Sequence, residues 1–412
     1  EGHYLQERTL TLRAAPGAAA GASGSSEVDL RASAARAVAR LREHQQAEGY
    51  WLTAYTSGTR FHEPRPEMNT FLTALLVDLL EPLPADPGLA ESLQRARSHL
   101  TAQIEAGGLV RYHGRPDSPI IGTLGCAITP DTDDTALVWR IAPGPDRGAL
   151  AAALTTIDGY RRRDGLYKSW LAPREDYQCL DPGADPNPAD VAIQMHLLLL
   201  LAEAQPPAGR ALCGALRANL DADRIWVYYR GMPLVPILRL ADLRAAGCDL
   251  ELPEARMRTA VPGQENWVSV ARWLAPPDLA KAAPPDPALV RDVLGQIARD
   301  DFALLRTDPP LLYHNDLTAT VARYYWSEDV GFALWLRLYN KYEHLGDLHL
   351  GQKTGPPALR FDPAPAGHPR PPGRAADGGR FRDRLARSAR LEPAGDPADR
   401  QRLPDGSRLP AQ

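Results

Sequence analysis

A recurring pair of helical patterns constrains this chain most. An amphipathic stretch is followed by a loop and then by a stretch that is apolar on nearly every side. In the first pair, Leu30, Ala34, Ala37, Val38 and Leu41 repeat at helical spacing between Val28 and His44, and the apolar partner runs from Phe71 to Leu80. The second pair runs from Leu89 to Gln103 and then onward from Ala136. The third runs from Gly148 to Arg161 and then from Val191 to Ala204. A fourth begins at Ala208 and resumes at Met232-Pro233, with its helix reaching Ala246. The last begins at Ala288 and resumes at Trp326-Ser327-Glu328-Asp329, with its helix reaching Asn340. The double-length gap before it holds a degenerate copy around Gln264-Glu265-Asn266-Trp267. A helix apolar all round is buried and an amphipathic one faces water, so each pair is one inner and one outer helix. About six such hairpins fit a closed ring or an open solenoid equally well.

The rest of the chain narrows the classes. The 412 residues carry a net charge of −4, and no basic stripe marks a nucleic-acid partner. The longest apolar run, Val191 to Ala202, is broken by Gln194 and His196 and is too short for a transmembrane span. Cys126, Cys179, Cys213 and Cys248 are few and scattered with no CxxC, so neither a disulfide framework nor a zinc knuckle is expected. Residues 1–26 read as a flexible leader rich in Ala, Gly and Ser, 27–350 as the helical domain, and 351–412 as a disordered Pro/Arg-rich tail.

One loop carries a concentration of charge. Pro130-Asp131-Thr132-Asp133-Asp134-Thr135 opens the second apolar helix. Asp and Thr cap helix N-termini, where they satisfy free N–H groups. Capping accounts for one or two of these carboxylates. Three within four residues repel one another, and such clusters mark acid–base sites. Glu67 and Asn69 occupy the equivalent positions before the first apolar helix, Asp190 before the third, and Glu328 or Asp329 before the last.

Asp131-Thr132-Asp133-Asp134-Thr135-Ala136 resembles the DxDDTA motif of class II terpene cyclases. Gln45-x-x-x-Gly49-x-Trp51 resembles the QW motif of the squalene–hopene cyclase superfamily, with Gln103-x-x-x-Gly107-x-Leu109 as a degenerate copy. The resemblance covers residues 28–345 and implies an all-α fold, an (α/α)6 barrel-like toroid. It implies proton-initiated cyclisation of an isoprenoid, with Asp133 as the acid and Asp131 and Asp134 supporting it. A carbocation cascade needs π faces and a dry site, for which Trp139, Trp226, Tyr325 and Trp326 are the substrate-side candidates beside Glu67, Asn69 and Asp190. Aromatic residues are 7% of the chain, few for a cavity that folds a long polyene. No redox cofactor is implied. Mg2+ enters only with a diphosphate substrate, for which Lys168, Arg230 or Arg323 are candidate ligands. The expected partner is a hydrophobic isoprenoid, the expected location cytoplasmic, with peripheral membrane contact left open.

Two alternatives stand beside this reading. A protein prenyltransferase β-like subunit would bind zinc, here through Asp176, Cys179 and His196, with a spacing that departs from that family's pattern. A non-catalytic helical-repeat toroid would bind lipid or protein. Class I terpene chemistry lacks its Mg2+ motifs, because Asp133-Asp134 is followed by Leu137, and Asn315-Asp316 by Ala319 and Arg323, where ligands belong. His62, His196 and His314 are isolated in the sequence and read as packing or capping residues.

Overall fold

Four of the apolar stretches start on a side-chain cap. Asn69, Asp131, Asp190 and Ser327 each turn a side-chain oxygen onto a backbone N–H of the first turn that follows. The helices so begun are α2 (Thr70–Leu80), α4 (Thr132–Ile141), α6 (Val191–Ala204) and α13 (Glu328–Tyr342). All of α2 except Asp78 is buried, and α6 is buried from Val191 through Leu201. Burial of this kind stabilises by about 25 cal/mol per Å2 of apolar surface. The amphipathic partners bury one stripe only, as α1 (Leu30–His44) does with Ser33, Ala37 and Leu41.

The computed structural model describes residues 28–84, 86–120, 126–180, 186–315 and 323–343. The remaining helices are α3 (Pro87–Ala102), α5 (Arg147–Gly159), α7 (Pro206–Arg217), α8 (Leu234–Leu238), α9 (Leu240–Ala245), α10 (Glu265–Leu274), α11 (Pro277–Ala280) and α12 (Pro287–Thr307). The inner helices touch in succession: α2 on α4, α4 on α6, α6 on α8 and α9, α8 on α10, α10 on α13, and α13 back on α2. Outside them, α1 packs on α3 and α13, α3 on α2, α5 on α4, α7 on α6, α11 on α10 and α12 on α13. The chain divides into Glu1–Pro372 and Gly373–Gln412. The expected leader, the expected tail and the second of these units lie outside the described residues.

The expectation of an all-α toroid is corrected by a four-stranded antiparallel sheet. Its strands are β1 (Leu52–Thr56), β2 (Arg65–Met68), β3 (Leu311–Asn315) and β4 (Arg323–Trp326), in the order β2-β1-β4-β3. β2 runs directly into the cap of α2 and β4 into the cap of α13, so the sheet sits at the N-terminal end of the inner helices. Pairing joins Tyr55 to Tyr325 and Tyr325 to Tyr313. Side chains alternate across a strand. One face therefore carries Thr53, Tyr55, Glu67, Tyr313 and Tyr325. The other carries Ala54, Leu311 and Trp326, which pack with Met232 and Val261.

The QW-like residues tie outer helices together. Gln45 Nε2 donates to the carbonyls of Gly49 and Ser92, both at 2.8 Å, and Arg95 donates to Gln45 Oε1 at 2.7 Å. Trp51 Nε1 donates to the Leu41 carbonyl at 2.8 Å. Gly49 has φ +101°, and a Cβ there would lie 2.5 Å from the Arg95 carbonyl oxygen, so the motif's glycine is required by a close approach of α3.

The expectation that the four cysteines build no disulfide framework is also corrected. Cys126 bonds Cys179 and Cys213 bonds Cys248, with Cα separations of 6.3 and 5.9 Å. These pairs are far apart in sequence, so only the tertiary fold brings them together. Such bonds persist in oxidising compartments. Among the described residues, no helix is long and apolar enough to cross a membrane.

Candidate active site

The caps of α2, α4 and α6 bring most of the candidate carboxylates to one end of the inner helices. Backbone bonds lock that end: Thr70 N–H donates to the Tyr112 carbonyl at 2.8 Å, Thr132 N–H to Ser169 at 2.8 Å, and Ser169 N–H to Pro188 at 2.9 Å. The loops before successive inner helices are thus stitched side by side.

Asp131 is the cap of α4, its Oδ1 accepting from Asp134 N–H at 2.8 Å, while its buried Oδ2 has no hydrogen-bond partner among the described residues. Asp134 accepts a hydrogen bond from the Thr70 hydroxyl of α2. Asp133 points instead to α6, where its Oδ1 lies 2.5 Å from His196 Nδ1. His196 is fully buried, and its Nε2 has no hydrogen-bond partner among the described residues. The Asp133 side chain keeps 13% of its surface exposed, whereas Asp131 and Asp134 are buried.

Burial and the neighbouring Asp134 charge push the Asp131 carboxyl far above the ordinary range, and Asp133 adds to the push. Burial and Asp133 push Asp134 up to about 7, against the hydrogen bond from Thr70. Burial and mutual repulsion thus favour the protonated forms of Asp131 and Asp134. Asp190 is likewise pushed up to about 7 by burial, although it accepts from the N–H groups of Val227 and Tyr228 at 2.9 Å and of Ala192 at 3.0 Å.

Aromatic rings cover this end. Tyr313 and Tyr325 stack with centroids 4.6 Å apart, and Phe71 meets Tyr313 edge-on at 5.2 Å and His196 at 6.1 Å. Tyr229 lies 6.1 Å from Tyr313. Burial, followed by the charges of Asp133, Asp190 and Asp134, raises the Tyr229 phenol. Tyr112 shares a hydrogen bond with Tyr313 and accepts one from Asn69 Nδ2 at 2.9 Å. Burial and Glu67 raise the Tyr112 phenol well above its ordinary value. These phenols are neutral, and their π faces line a buried acidic site. Glu67 is buried, with His113 Nε2 at 3.4 Å.

The structure therefore gathers Asp131, Asp133, Asp134, Asp190, Glu67, Asn69 and Tyr325 at one end. Trp139 and Trp226 make other contacts. Trp139 Nε1 donates to the Gly108 carbonyl at 2.6 Å, and Trp226 Nε1 to Leu220 at 2.7 Å, with the Arg256 guanidinium over its ring at 5.4 Å. Trp326 lies on the opposite face of the sheet from Tyr325. Asp329 faces outward, bonding His44 of α1 at 2.7 Å. Cys179 is held by Cys126 rather than as a thiol, and His196 is turned onto Asp133, so the Asp176–Cys179–His196 zinc set lacks its sulfur ligand. Lys168 and Arg230 are exposed, and Arg323 stacks over Tyr55 at 5.1 Å.

His113, Thr70, Phe71, Tyr112 and Tyr313 were not among the sequence candidates for the site, and His196 was one only as a zinc ligand in the prenyltransferase-like alternative. Only His196 left a signal: with Gln194 it is a polar interruption in an otherwise apolar helix.

No family model matches the chain. No curated protein matches it either. Among solved structures, it is similar to a protein from Actinoplanes at 15% identity and TM-score 0.49, covering 76% of this chain and 99% of that one. It is also similar to the type II terpene cyclase MstE from Scytonema without ligand, at 12% identity and TM-score 0.43, covering 76% and 98%. A variant of MstE in complex with geranylgeranyl dihydroxybenzoate, its substrate, matches at 13% identity and TM-score 0.43, covering 76% and 97%.

Proposed function

We propose that this chain cyclises an isoprenoid by protonating a terminal alkene or epoxide. The observation that carries the reading is the Asp133–His196 pair. It sits beside Asp131 and Asp134, two carboxyls that burial pushes toward the protonated form, under a cover of neutral tyrosines. Asp133 is the donor because it is the least buried of the three. Its proton passes to the terminal carbon or to the epoxide oxygen. The carboxylate left behind accepts the His196 N–H and sits in the first turn of α4, where the helix dipole favours negative charge. Burial favours the protonated forms of Asp131 and Asp134, which lessens the negative charge beside Asp133. The cation formed in the substrate meets π faces rather than water, with Tyr229, Tyr313 and Tyr325 as the stabilising rings. Loss of a proton ends the cascade, and substrate and product have equal mass.

The reaction as proposed uses no redox cofactor. Mg2+ would accompany only a substrate bearing a diphosphate. Of the proposed diphosphate ligands, Arg323 adjoins Tyr55 and Tyr325 of the site.

The test is to incubate wild type and Asp133→Asn with squalene and with farnesyl and geranylgeranyl diphosphates, then analyse phosphatase-treated extracts by gas chromatography–mass spectrometry. A cyclic isomer from wild type, with at least a hundredfold less from the variant at unchanged helicity, supports the reading. Equal product from both removes Asp133 as the acid. No product from the folded wild type favours a binding toroid.

A further inference from the structure

Toward the end of the inner helices away from the acid cluster, arginines gather. Asp78 lies in the last turn of α2, Arg140 in the last turn of α4, Arg239 between α8 and α9, and Arg337 on α13. One carboxylate holds two of the arginines. Arg239 Nη1 donates to Asp78, and Arg140 Nη2 lies 2.6 Å from the same carboxylate oxygen. Arg239 Nη1 also reaches Asp242 of α9 at 3.1 Å, and Arg337 Nη1 donates to the Leu79 carbonyl at 3.3 Å. The Arg239 side chain is 1% exposed. Its bonds all leave from Nη1, and its buried Nε and Nη2 have no hydrogen-bond partner among the described residues. The buried Nε of Arg140 has none there either.

Helix C-termini favour cations, which accounts for arginines at this end. It does not account for the unpaired edge of Arg239. The Nε–Nη2 edge of a guanidinium is a fork that matches two oxygens of one carboxylate or phosphate. Burying such donors without a partner is costly, and more so when they carry charge. Among the described residues, the carboxylates in ion-pair range of these arginines are Asp78 and Asp242, one fewer than the guanidiniums. Glu203 and Glu81 act on Arg140 from farther off; both are exposed, and Glu81 is paired with Arg97. Burial works against the charge of all three arginines, and Arg337 works against that of Arg239. An anion among them relieves both penalties.

We propose that this arginine cluster binds an oxyanion, a phosphate or carboxylate group taken by the Nε–Nη2 fork of Arg239 with Arg140 and Arg337 beside it. Two sources carry that chemistry: a free anion, or the head group of an isoprenoid whose far end reaches Asp133. Asp133 and Arg140 stand two turns apart on one face of α4, about 10 Å along its axis. The head-group source rests on the reaction proposed above; the anion site itself does not.

The experiment is calorimetric titration of the full chain with inorganic pyrophosphate, farnesyl diphosphate and farnesol, with sodium chloride holding the ionic strength constant. Saturable binding of pyrophosphate is expected. It should weaken about tenfold in Arg337→Gln, and about as much in Arg239→Lys, which keeps the charge but removes the fork. Circular dichroism checks the folding of each variant. Arg337 is partly exposed and outside the Asp78 pair, so it carries the test if Arg239→Lys does not fold. Asp133→Asn should bind pyrophosphate as wild type does, whether or not the protein cyclises anything. Farnesyl diphosphate binding more tightly than pyrophosphate, and weakened by the same variants, identifies an isoprenoid head group as the ligand; equal affinities identify the free anion. No saturable binding of either, or binding that Arg337→Gln leaves unchanged and Arg323→Gln abolishes, would overturn the proposal.

Discussion

Asp133 stands inside the first turn of α4, and its two acidic neighbours have different roles. Asp131 caps, Asp134 binds Thr70 of α2, and Asp133 reaches across to His196 of α6. Replacing His196 by Phe keeps a ring in the buried site but removes the Nδ1 that faces the acid. The expected result is a loss of about a hundredfold in turnover, with the circular dichroism spectrum unchanged. A variant as active as wild type would remove His196 from the proton-donating pair. The three aspartates were legible in the sequence because their density exceeds what capping needs. His196 was not, because its partner lies on a different helix and only the packing of α4 on α6 brings them within reach. Trp139 and Trp226 were read as site residues from type alone. Their indole N–H groups instead satisfy backbone carbonyls in the core.

At the scale of elements, helices were legible and strands were not. Helical spacing is written locally, and α2, α4, α6 and α13 begin where their caps stand in the sequence. The strands are four or five residues long, and β1 finds β4 only after most of the chain has intervened. Threonine and tyrosine in Leu52–Thr56 and the aromatic run Arg323–Trp326 carry the β preference, a weaker and more contextual signal than helical spacing. Two predictions belong here. Asn69→Ala removes the cap of α2 together with its bonds to Thr53 and Tyr112. It should cost about 1–2 kcal/mol in denaturant unfolding. Gly49→Ala should cost at least about 1 kcal/mol, because its φ of +101° and the Arg95 carbonyl both oppose a Cβ. Gly107, with nothing within 4 Å of the same hypothetical atom, is the control expected to stay within about 0.5 kcal/mol.

For the molecule as a whole, burial of acids sets how stability responds to pH. Burial raises Asp134, Asp190, Asp308 and Glu328 each to about 7, and burial with Asp329 lifts Glu328 in particular. A carboxyl whose folded pKa is raised binds its proton more tightly folded than unfolded. Its stabilising contribution is complete below the unfolded value near 4 and is lost as pH rises through the folded value. His44, raised overall by Asp329 against its burial, acts in the same direction. Buried His99, lowered to about 4, acts oppositely but only below about pH 6.5. The thermal midpoint should therefore fall as pH rises from about 5 to about 7.5 and level off above that. Each raised carboxyl costs up to about 1.4 kcal/mol for each pH unit crossed below its folded pKa. Asp308→Asn should make the fall shallower, and a midpoint that rises over this window would contradict the burial of these acids. Two of these carboxyls, Asp134 and Asp190, stand in the candidate site.

Solvent isotope labelling tests the proton-donating site most directly. Wild type and Asp133→Asn are equilibrated in D2O and incubated with the isoprenoid that gives product, and the cyclic product is weighed by mass spectrometry. Donation from Asp133 to an alkene predicts one deuterium in each wild-type product molecule, at the carbon that was protonated, and no labelled product from the variant. A wild-type cyclic product of unchanged mass, or one that has lost a diphosphate, would mean that ring closure does not begin with a proton from this cluster.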